Sequence, residues 1–357
     1  MHPQSVVLLV TPKMIPDFDK PDSAIAHFFD NYKTLTSRAA QVIVIFAVGN
    51  SDHILEYRGL AGWGDKIEWA RTTDFIPVSD RVLDYNQVNR IVTAFRSGAL
   101  AAGVNLKIYD QIDSSGEFTV TNIFKYQVHQ ECTVNRWAMY DVRAHLQADK
   151  YSYATRPNGI TEGTLCGEFL ADQVSQYMRD LSFDGVLYGN QLGTRGRWFP
   201  GDGPGYSVDE ASGIDAFLSY SRRVFGDKGL IWFDSYNNVK EEHDTFSFPA
   251  DGYQYFDYIL ASGFCVITTS ALYVDDLKSK LRIPNRPKVL ATLDYVDPWY
   301  SYNSMKDYPV ESAKLEDIAV DYRYQIDGIM FFANDETGAL VPRTLVDVFA
   351  LRFFGSN

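Results

Sequence analysis

The chain of 357 residues is long enough for one large α/β barrel or for two smaller domains. Hydrophobic residues make up 46 % of it, which excludes general disorder, and its net charge of −13 argues against nucleic acid or an anionic membrane surface as partners. Aromatic residues reach 15 %, and the flat faces of Tyr and Trp suit either a large core or the apolar face of a sugar ring.

Eight short apolar runs predict strands that are buried on both faces. In chain order they are Val6–Thr11, Val42–Val48, Leu106–Tyr109, Gly185–Tyr188, Leu230–Phe233, Tyr258–Ala261, Val289–Leu293 and Gly328–Phe332. Cys265–Thr269 is an alternative for the sixth strand. Helical patterning separates most of these runs, at Ala24–Ala40, Tyr85–Ala102, Phe169–Leu181, Ser207–Phe225, Asp275–Leu281, Ala313–Tyr324 and Arg343–Phe353.

The alternation of strands and helices predicts a single (β/α)8 TIM barrel over residues 1–357, and an open doubly wound α/β sheet is the alternative. Two long segments, 49–79 and 114–160, each follow the carboxyl end of a predicted strand. We therefore expect both to be insertions at the barrel mouth, the end where the carboxyl ends of the strands meet.

Three segments of the chain have nearly the same sequence: an apolar residue, an aspartate and a short apolar run. They are Phe-Asp-Gly-Val-Leu at 183–187, Phe-Asp-Tyr-Ile-Leu at 256–260 and Ile-Asp-Gly-Ile-Met at 326–330. Their aspartates, Asp184, Asp257 and Asp327, precede the strands. We therefore expect them at the amino end of the barrel, where repetition serves stability rather than catalysis.

Carboxylates recur where the predicted strands end, which is where barrel enzymes have their active sites. The candidates are Asp110, Asp234, Asp294 and Glu336. Crowded carboxylates raise one another's pKa, so that one stays protonated while another stays ionised, and such a pair can cleave a glycosidic bond. Asp234 with Glu336 is the favoured pair, with Asp110 and Asp294 as substitutes. Taken singly, each could instead be a capping residue of a βα turn.

Other residues near the same strand ends are candidates for binding a sugar. Tyr236, Trp198 and Trp299 have rings that can stack on sugar faces, whereas Arg195 and Asn190 can hydrogen-bond hydroxyl groups. The remaining candidates for substrate binding are Gln191, Tyr295, Asn334 and Asp335.

Motifs for other chemistry are absent from the sequence. It has no HExxH, no Gly-x-Ser-x-Gly and no P-loop ending, so neither a metal nor a cofactor is predicted. Three cysteines without CxxC spacing are expected to be free thiols: Cys132, Cys166 and Cys265.

The start of the chain leads directly into the first strand, with no basic region or long apolar stretch before it. If this terminus is native, the expectation is a cytoplasmic protein; the alternative is a secreted protein whose signal peptide has been removed. No apolar run approaches the length of a membrane-spanning helix. The sequence leaves the oligomeric state open.

The segments 183–187, Trp-Phe-Asp-Ser-Tyr at 232–236 and Asp-Gly-Ile-Met at 327–330 resemble the TIM-barrel glycoside hydrolases. The Trp-x-Asp-Ser element and the Asp-Gly pairs are similar to those of endo-acting N-acetylglucosaminidases. The resemblance implies a glycosidase with a carbohydrate substrate. Many such enzymes have an acid glutamate near the end of strand four, often after Asn, but this chain has Asn190-Gln191, and glutamine cannot act as an acid.

Three functions therefore stand as hypotheses. The first is a glycoside hydrolase, which retains the anomeric configuration if its carboxyl groups are about 5–5.5 Å apart and inverts it at roughly 6.5–9.5 Å. Because Glu336 reaches farther than an aspartate, retention is favoured. The second, suggested by Gln191, is a carbohydrate-binding barrel without catalysis. The third is an enzyme for a phosphorylated metabolite with an anion loop at 193–197, although the usual phosphate site of this fold follows strands seven and eight, which are acidic here.

Overall fold

Eight parallel strands close into a barrel in the structure of the protein, a computed structural model. The structure describes residues 4–49, 54–56, 82–112, 171, 174–175, 178–188, 218–235, 254–262, 286–293, 316–317, 319–334 and 337–355. Each barrel strand is hydrogen-bonded to a neighbour on both sides, so the barrel has no edge strand. The (β/α)8 prediction is confirmed, and the open doubly wound sheet is excluded.

The strands have the following bounds: β1 Ser5–Val10, β2 Gln41–Gly49, β3 Ile54–Glu56, β4 Val82–Asp84, β5 Leu106–Ile112, β6 Gly185–Tyr188, β7 Gly229–Ser235, β8 Tyr258–Ser262, β9 Lys288–Leu293 and β10 Gly328–Phe332. Around the barrel the order is β1-β10-β9-β8-β7-β6-β5-β2. β3 and β4 form a separate two-stranded parallel sheet. The predicted barrel strands are correct in position, but β5 and β7 are longer than predicted, so that Asp110 and Asp234 lie within strands rather than after them.

Within the described residues, the helices with assigned bounds are α1 Asp22–Asn31, α2 Lys33–Thr36, α3 Tyr85–Ala102 and α4 Arg343–Phe354, with a 3-10 turn at Pro12–Met14. Further helical residues are 171, 174–175, 178–180, 218–225, 316–317 and 319–321. α3 has the predicted bounds, and α4 ends one residue later than predicted. The helix predicted over 24–40 is instead divided at Tyr32 into α1 and α2. None of the helices in the described part of the chain combines the length and apolar character needed to cross a bilayer.

Side chains alternate between two layers along each barrel strand. The lumen layer packs inside the barrel and consists of Val7, Leu9, Ile43, Ile45, Ala47, Tyr109, Leu187, Ile231, Tyr258, Leu260, Leu290, Met330 and Phe332. The outer layer packs against the helices and includes Val6, Leu8, Val44, Ile108, Val186 and Ile329. Because parallel strands pair residue by residue, the register decides which side chains face the lumen.

Tyr109 fills the amino end of the lumen. Its ring lies against Gly185 and Gly229, the first residues of β6 and β7. A Cβ added at Gly229 would lie 1.7 Å from the Tyr109 hydroxyl, and one at Gly185 would lie 2.7 Å from its ring. Glycine is therefore required at both positions because a side chain would occupy the space of the phenol.

The three repeated aspartates lie at the amino end of the barrel, as predicted. Each is the residue before an incoming strand and makes two hydrogen bonds with one residue of the preceding barrel strand. Its backbone N–H donates to that residue's carbonyl, and its carboxylate accepts that residue's backbone N–H. The backbone donors are Ile108 to Asp184 at 2.9 Å, Leu230 to Asp257 at 2.8 Å and Val289 to Asp327 at 2.9 Å.

An arginine stands beside each of these carboxylates and completes what we call the aspartate clamps. The nitrogen-to-oxygen distances are 3.0 Å for Arg96–Asp184, 2.9 Å for Arg222–Asp257 and 4.0 Å for Arg286–Asp327. The clamps hold β5 to β6, β7 to β8 and β9 to β10. At the corresponding position between β1 and β2, Ala40 precedes β2 and donates its backbone N–H to the carbonyl of Gln4. As an alanine it has no carboxylate, so this strand pair has no clamp.

Replacing the clamp residue Asp257 should destabilise the barrel, because the backbone N–H of Leu230 then loses its acceptor. We expect Asp257→Ala to lower the free energy of unfolding by about 1–3 kcal/mol. Asp257→Asn should cost less, because the amide oxygen can still accept this hydrogen bond. Chemical denaturation measures both losses. Asp227→Ala is the control, since Asp227 is exposed near the same strand end; equal losses at both positions would contradict the clamp.

The buried phenol of Tyr109 should make the fold sensitive to alkali. Burial raises its pKa, and the negative charges of Asp257, Tyr258 and Asp184 raise it further. The unfolded chain gives up this proton at about pH 10, so the contribution of Tyr109 to stability is complete below that pH and is lost above it. We expect the free energy of unfolding of Tyr109→Phe to fall less than that of the wild type between about pH 9 and pH 11.

Tyr32 provides the matched comparison, because burial raises its pKa as well. Its hydroxyl donates a hydrogen bond to the carbonyl of Ala333 at 2.6 Å, whereas the hydroxyl of Tyr109 has no partner among the described residues. At neutral pH, Tyr32→Phe should therefore lose stability and Tyr109→Phe should not. Equal destabilisation by the two changes would show that the Tyr109 hydroxyl has a partner.

Candidate functional site

The barrel mouth has a mostly apolar floor. The mouth floor consists of the last described lumen-facing side chains of six strands: Leu9, Ala47, Gln111, Leu187, Thr292 and Phe332. Five of these residues are buried, and Gln111 is half-buried. The mouth end of the lumen is thus lined by apolar side chains together with two polar ones.

Gln111 and Thr292 are the polar members of the mouth floor. Gln111 pairs in register with Leu187, and Thr292 pairs with Met330; both partners belong to the lumen layer. Their strands, β5 and β9, are four strands apart in either direction around the barrel. The two side chains therefore face the lumen from opposite sides.

The first and last strands are joined at the mouth by Asn334 and Thr11. The Asn334 side chain accepts a hydrogen bond from the Thr11 backbone N–H at 2.9 Å and donates one to the Thr11 hydroxyl at 2.7 Å. Next to this contact, the backbone N–H of Ala333 donates to the carbonyl of Leu9. Asn334 is only 3 % exposed, so both ends of its amide serve a contact within the protein.

The loop that carries Asp335 and Glu336 is fixed at both of its ends. Asn334 forms an isolated antiparallel bridge with Leu340. Gly338 lies so close to the Lys13 backbone that an added Cβ would be 2.2 Å from the Lys13 carbonyl oxygen. Asp335 and Glu336 themselves lie outside the described residues, but the chain enters and leaves them at the mouth.

Asp110 was predicted to face the mouth, but its strand register places it in the outer layer. Ile108 belongs to the outer layer and Tyr109 to the lumen layer, so the next residue returns to the outer side. The register partners of Asp110, which are Phe46 and Val186, also belong to the outer layer. Asp110 is fully buried on the outer side of the barrel strands, and from this position it does not reach the lumen.

Asp234 lies at the carboxyl end of β7, where its backbone pairs with Ala261 of β8. β9 ends at Leu293, so Asp294 is the next residue of the chain. The structure thus brings the backbone at or next to two candidate carboxylates, the favoured Asp234 and the substitute Asp294, to the mouth, but it describes the side chain of neither. The predicted site residues outside the described ranges are Asn190, Gln191, Arg195, Trp198, Tyr236, Asp294, Tyr295, Trp299, Asp335 and Glu336.

Sequence reasoning missed Thr292 and Gln111 as residues of the mouth. A signal for Thr292 was available, because Leu290, Thr292 and Asp294 share one phase of the strand and Thr292 is the polar residue inside that apolar run. Within the described ranges, no three His, Cys, Asp or Glu side chains lie together as ligands for a metal ion.

Solved structures share this fold, although no family model matches the chain and a search of curated proteins finds no match. A plant class V chitinase mutant from Cycas revoluta, in complex with (GlcNAc)3, is 10 % identical, with a TM-score of 0.52 over 98 % of this chain and 99 % of that one. A GH18 chitinase mutant from Cycas revoluta, in complex with (GlcNAc)4, is 9 % identical, with the same TM-score and coverage.

An endo-β-N-acetylglucosaminidase from Cordyceps militaris also matches, at 11 % identity and a TM-score of 0.46 over 99 % of this chain and 91 % of that one. At these identities the matches to the Cycas revoluta structures show a common fold. They agree with the resemblance to TIM-barrel glycoside hydrolases that the sequence indicates.

Replacing Asn334 should destabilise the join between β1 and β10. Asn334→Ala leaves the backbone N–H of Thr11 without its acceptor, so we expect a loss of about 1–3 kcal/mol in the free energy of unfolding. Thr11→Val removes the hydroxyl but keeps that N–H bond, and it should cost less. Urea denaturation of both variants measures the difference; a stability of Asn334→Ala equal to the wild type would contradict the role of this amide.

Proposed function

We propose that the protein hydrolyses glycosidic bonds of an oligosaccharide or polysaccharide at the barrel mouth. The observation that supports this most is that three candidate carboxylates lie at or follow the ends of strands of one closed barrel, at the same rim. Asp234 lies near the end of β7, Asp294 follows β9, and Glu336 lies in the loop after β10. Paired carboxylates at one rim are what glycosidic cleavage requires.

Asp234 and Glu336 are the proposed pair, and Asp294 is the substitute. β7 and β10 are three strands apart around the barrel, so two side chains of unequal length can approach across the mouth. We propose the shorter separation, about 5–5.5 Å between carboxyl groups, and hence retention through a covalent intermediate. Asp110 is left out of the pair because it is fully buried two residues before the end of β5. Asp234 shares the outer phase of Leu230 and Trp232 along β7, but only one residue of that strand follows it before the rim.

The mouth floor supports a carbohydrate as the ligand. Its apolar area suits the CH-rich face of a sugar ring, and Trp198, Tyr236 and Trp299 would add stacking faces above it. Arg195, Asn190, Gln191, Tyr295 and Asp335 are the proposed partners of sugar hydroxyls. Because Thr11 already occupies both ends of the Asn334 amide, the proposed role of Asn334 is to hold the loop that carries Glu336.

Oligomers of N-acetylglucosamine are the first substrates to test. The two Cycas revoluta chitinase structures with this fold are complexes with (GlcNAc)3 and (GlcNAc)4. Maltotetraose and cellotetraose complete a panel that separates acetamido sugars from plain glucose polymers.

A carbohydrate-binding protein without catalysis is the second candidate, and Gln191 is the observation that favours it. The Cycas revoluta chitinase in complex with (GlcNAc)4 itself carries a glutamate-to-glutamine replacement. If this chain likewise has glutamine in the place of an acid, it would bind a glycan of the panel without releasing new reducing ends. Gln191→Glu would then be the variant expected to gain turnover.

The experiment combines release of reducing ends with binding on the same panel. We expect the wild type to cleave at least one glycan, and Asp234→Asn to lower kcat by roughly 10²–10⁴-fold. Asp227→Asn is the matched control, because it makes the same change at an exposed residue near the amino end of the same strand. Full activity in Asp234→Asn would reject this assignment, and binding without cleavage by the wild type would favour the second candidate.

Proton NMR of the first-formed product tests the mechanism separately. Retained anomeric configuration agrees with the proposed short separation of the carboxyl groups. An inverted product would overturn it, whichever carboxylates are catalytic.

A further inference from the structure

The hydroxyl of Thr292 is a buried polar group that has no partner within the described part of the chain. Thr292 is the last residue but one of β9 and is 5 % exposed. Among the described residues nothing accepts a hydrogen bond from its Oγ1 or donates one to it. Burying a hydroxyl without a partner costs free energy, so such a group is uncommon in a native protein and calls for an explanation.

Other buried polar side chains near this end of the barrel do have partners. Asn31 donates to the carbonyl of Val341 at 3.0 Å, and Asn334 is bound to Thr11. The hydroxyl of Ser221, which also has no partner among the described residues, lies in the helical turns at 218–225, outside the barrel. Two hydroxyls that face the lumen thus have no partner among the described residues, those of Tyr109 and Thr292. Tyr109 lies at the amino end, whereas Thr292 lies at the mouth end.

Thr292 lies in the mouth floor among apolar side chains. Its strand neighbour in register is Met330, and Leu9 and Phe332 supply further apolar area of the mouth floor. Gln111 faces the lumen from the opposite side. Asp294, the substitute carboxylate, comes two residues later in the chain, and β9 ends at Leu293.

We propose that the Thr292 hydroxyl is a specificity-determining contact, which forms a hydrogen bond with a hydroxyl or amide group of the sugar that enters the mouth. This inference rests on the proposed function, because it takes the ligand to be a carbohydrate. A sugar ring that lies on the apolar floor points its polar groups outward from its edge, where a hydroxyl of the floor can meet one of them. Thr292 then selects sugars that present a hydrogen-bonding group at that position.

The test compares Thr292→Val with Thr292→Ser and the wild type. Valine has nearly the shape of threonine without the hydroxyl, and serine keeps the hydroxyl. Calorimetry measures the Kd for (GlcNAc)4, maltotetraose and cellotetraose, and thermal unfolding measures Tm without ligand. We expect Thr292→Val to weaken binding of the preferred glycan by roughly 3–10-fold while its Tm stays equal or rises, and Thr292→Ser to bind like the wild type.

Ser221→Ala is the matched control, since it also removes a buried hydroxyl without a partner but outside the lumen. It should leave binding unchanged; weakening equal to that of Thr292→Val would overturn the inference. Wild-type binding by Thr292→Val, or a lowered Tm together with weaker binding, would also overturn it and leave the proposed function intact. If the wild type binds no glycan of the panel, the proposed function fails, and the inference fails with it.

Discussion

The architecture depends on three aspartate carboxylates that hold neighbouring strands in register at the amino end of the barrel. Each clamp occupies the backbone N–H and the carbonyl of one residue in the preceding strand, so a shift of that strand pair would break both hydrogen bonds. A shift by one residue would also turn every lumen side chain of a strand toward the helices. Fixing β5–β6, β7–β8 and β9–β10 at one end therefore decides which residues form the mouth floor at the other.

The two ends of the barrel differ in their side chains, and this difference follows from the strand register. The amino end is closed by charge pairs and by a large aromatic ring, whereas the carboxyl end has an apolar floor with few polar groups. The first and last strands meet at the mouth through Asn334 and Thr11, which also fix the loop on which Glu336 lies. Rigid strand ends thus carry the segments that the proposed chemistry needs, as expected for a site built on this fold.

The sequence predicts the strands well, because eight short apolar runs separated by helical patterning have few alternative arrangements. It predicts the direction of side chains poorly. Parallel strands are apolar on both faces, so nothing in Lys107-Ile108-Tyr109-Asp110 shows that Asp110 lies on the outer side. The Asn334–Thr11 contact joins residues 323 positions apart, and no local pattern reveals such a pair. The break between α1 and α2 likewise falls at Tyr32, which contains no helix-breaking signal and is held by Ala333.

The ring of Tyr109 also closes one end of the lumen. It lies across the amino end, against two glycines whose lack of a side chain leaves space for the phenol. A ligand on the mouth floor would therefore reach it from the carboxyl ends of the strands and not along the barrel axis.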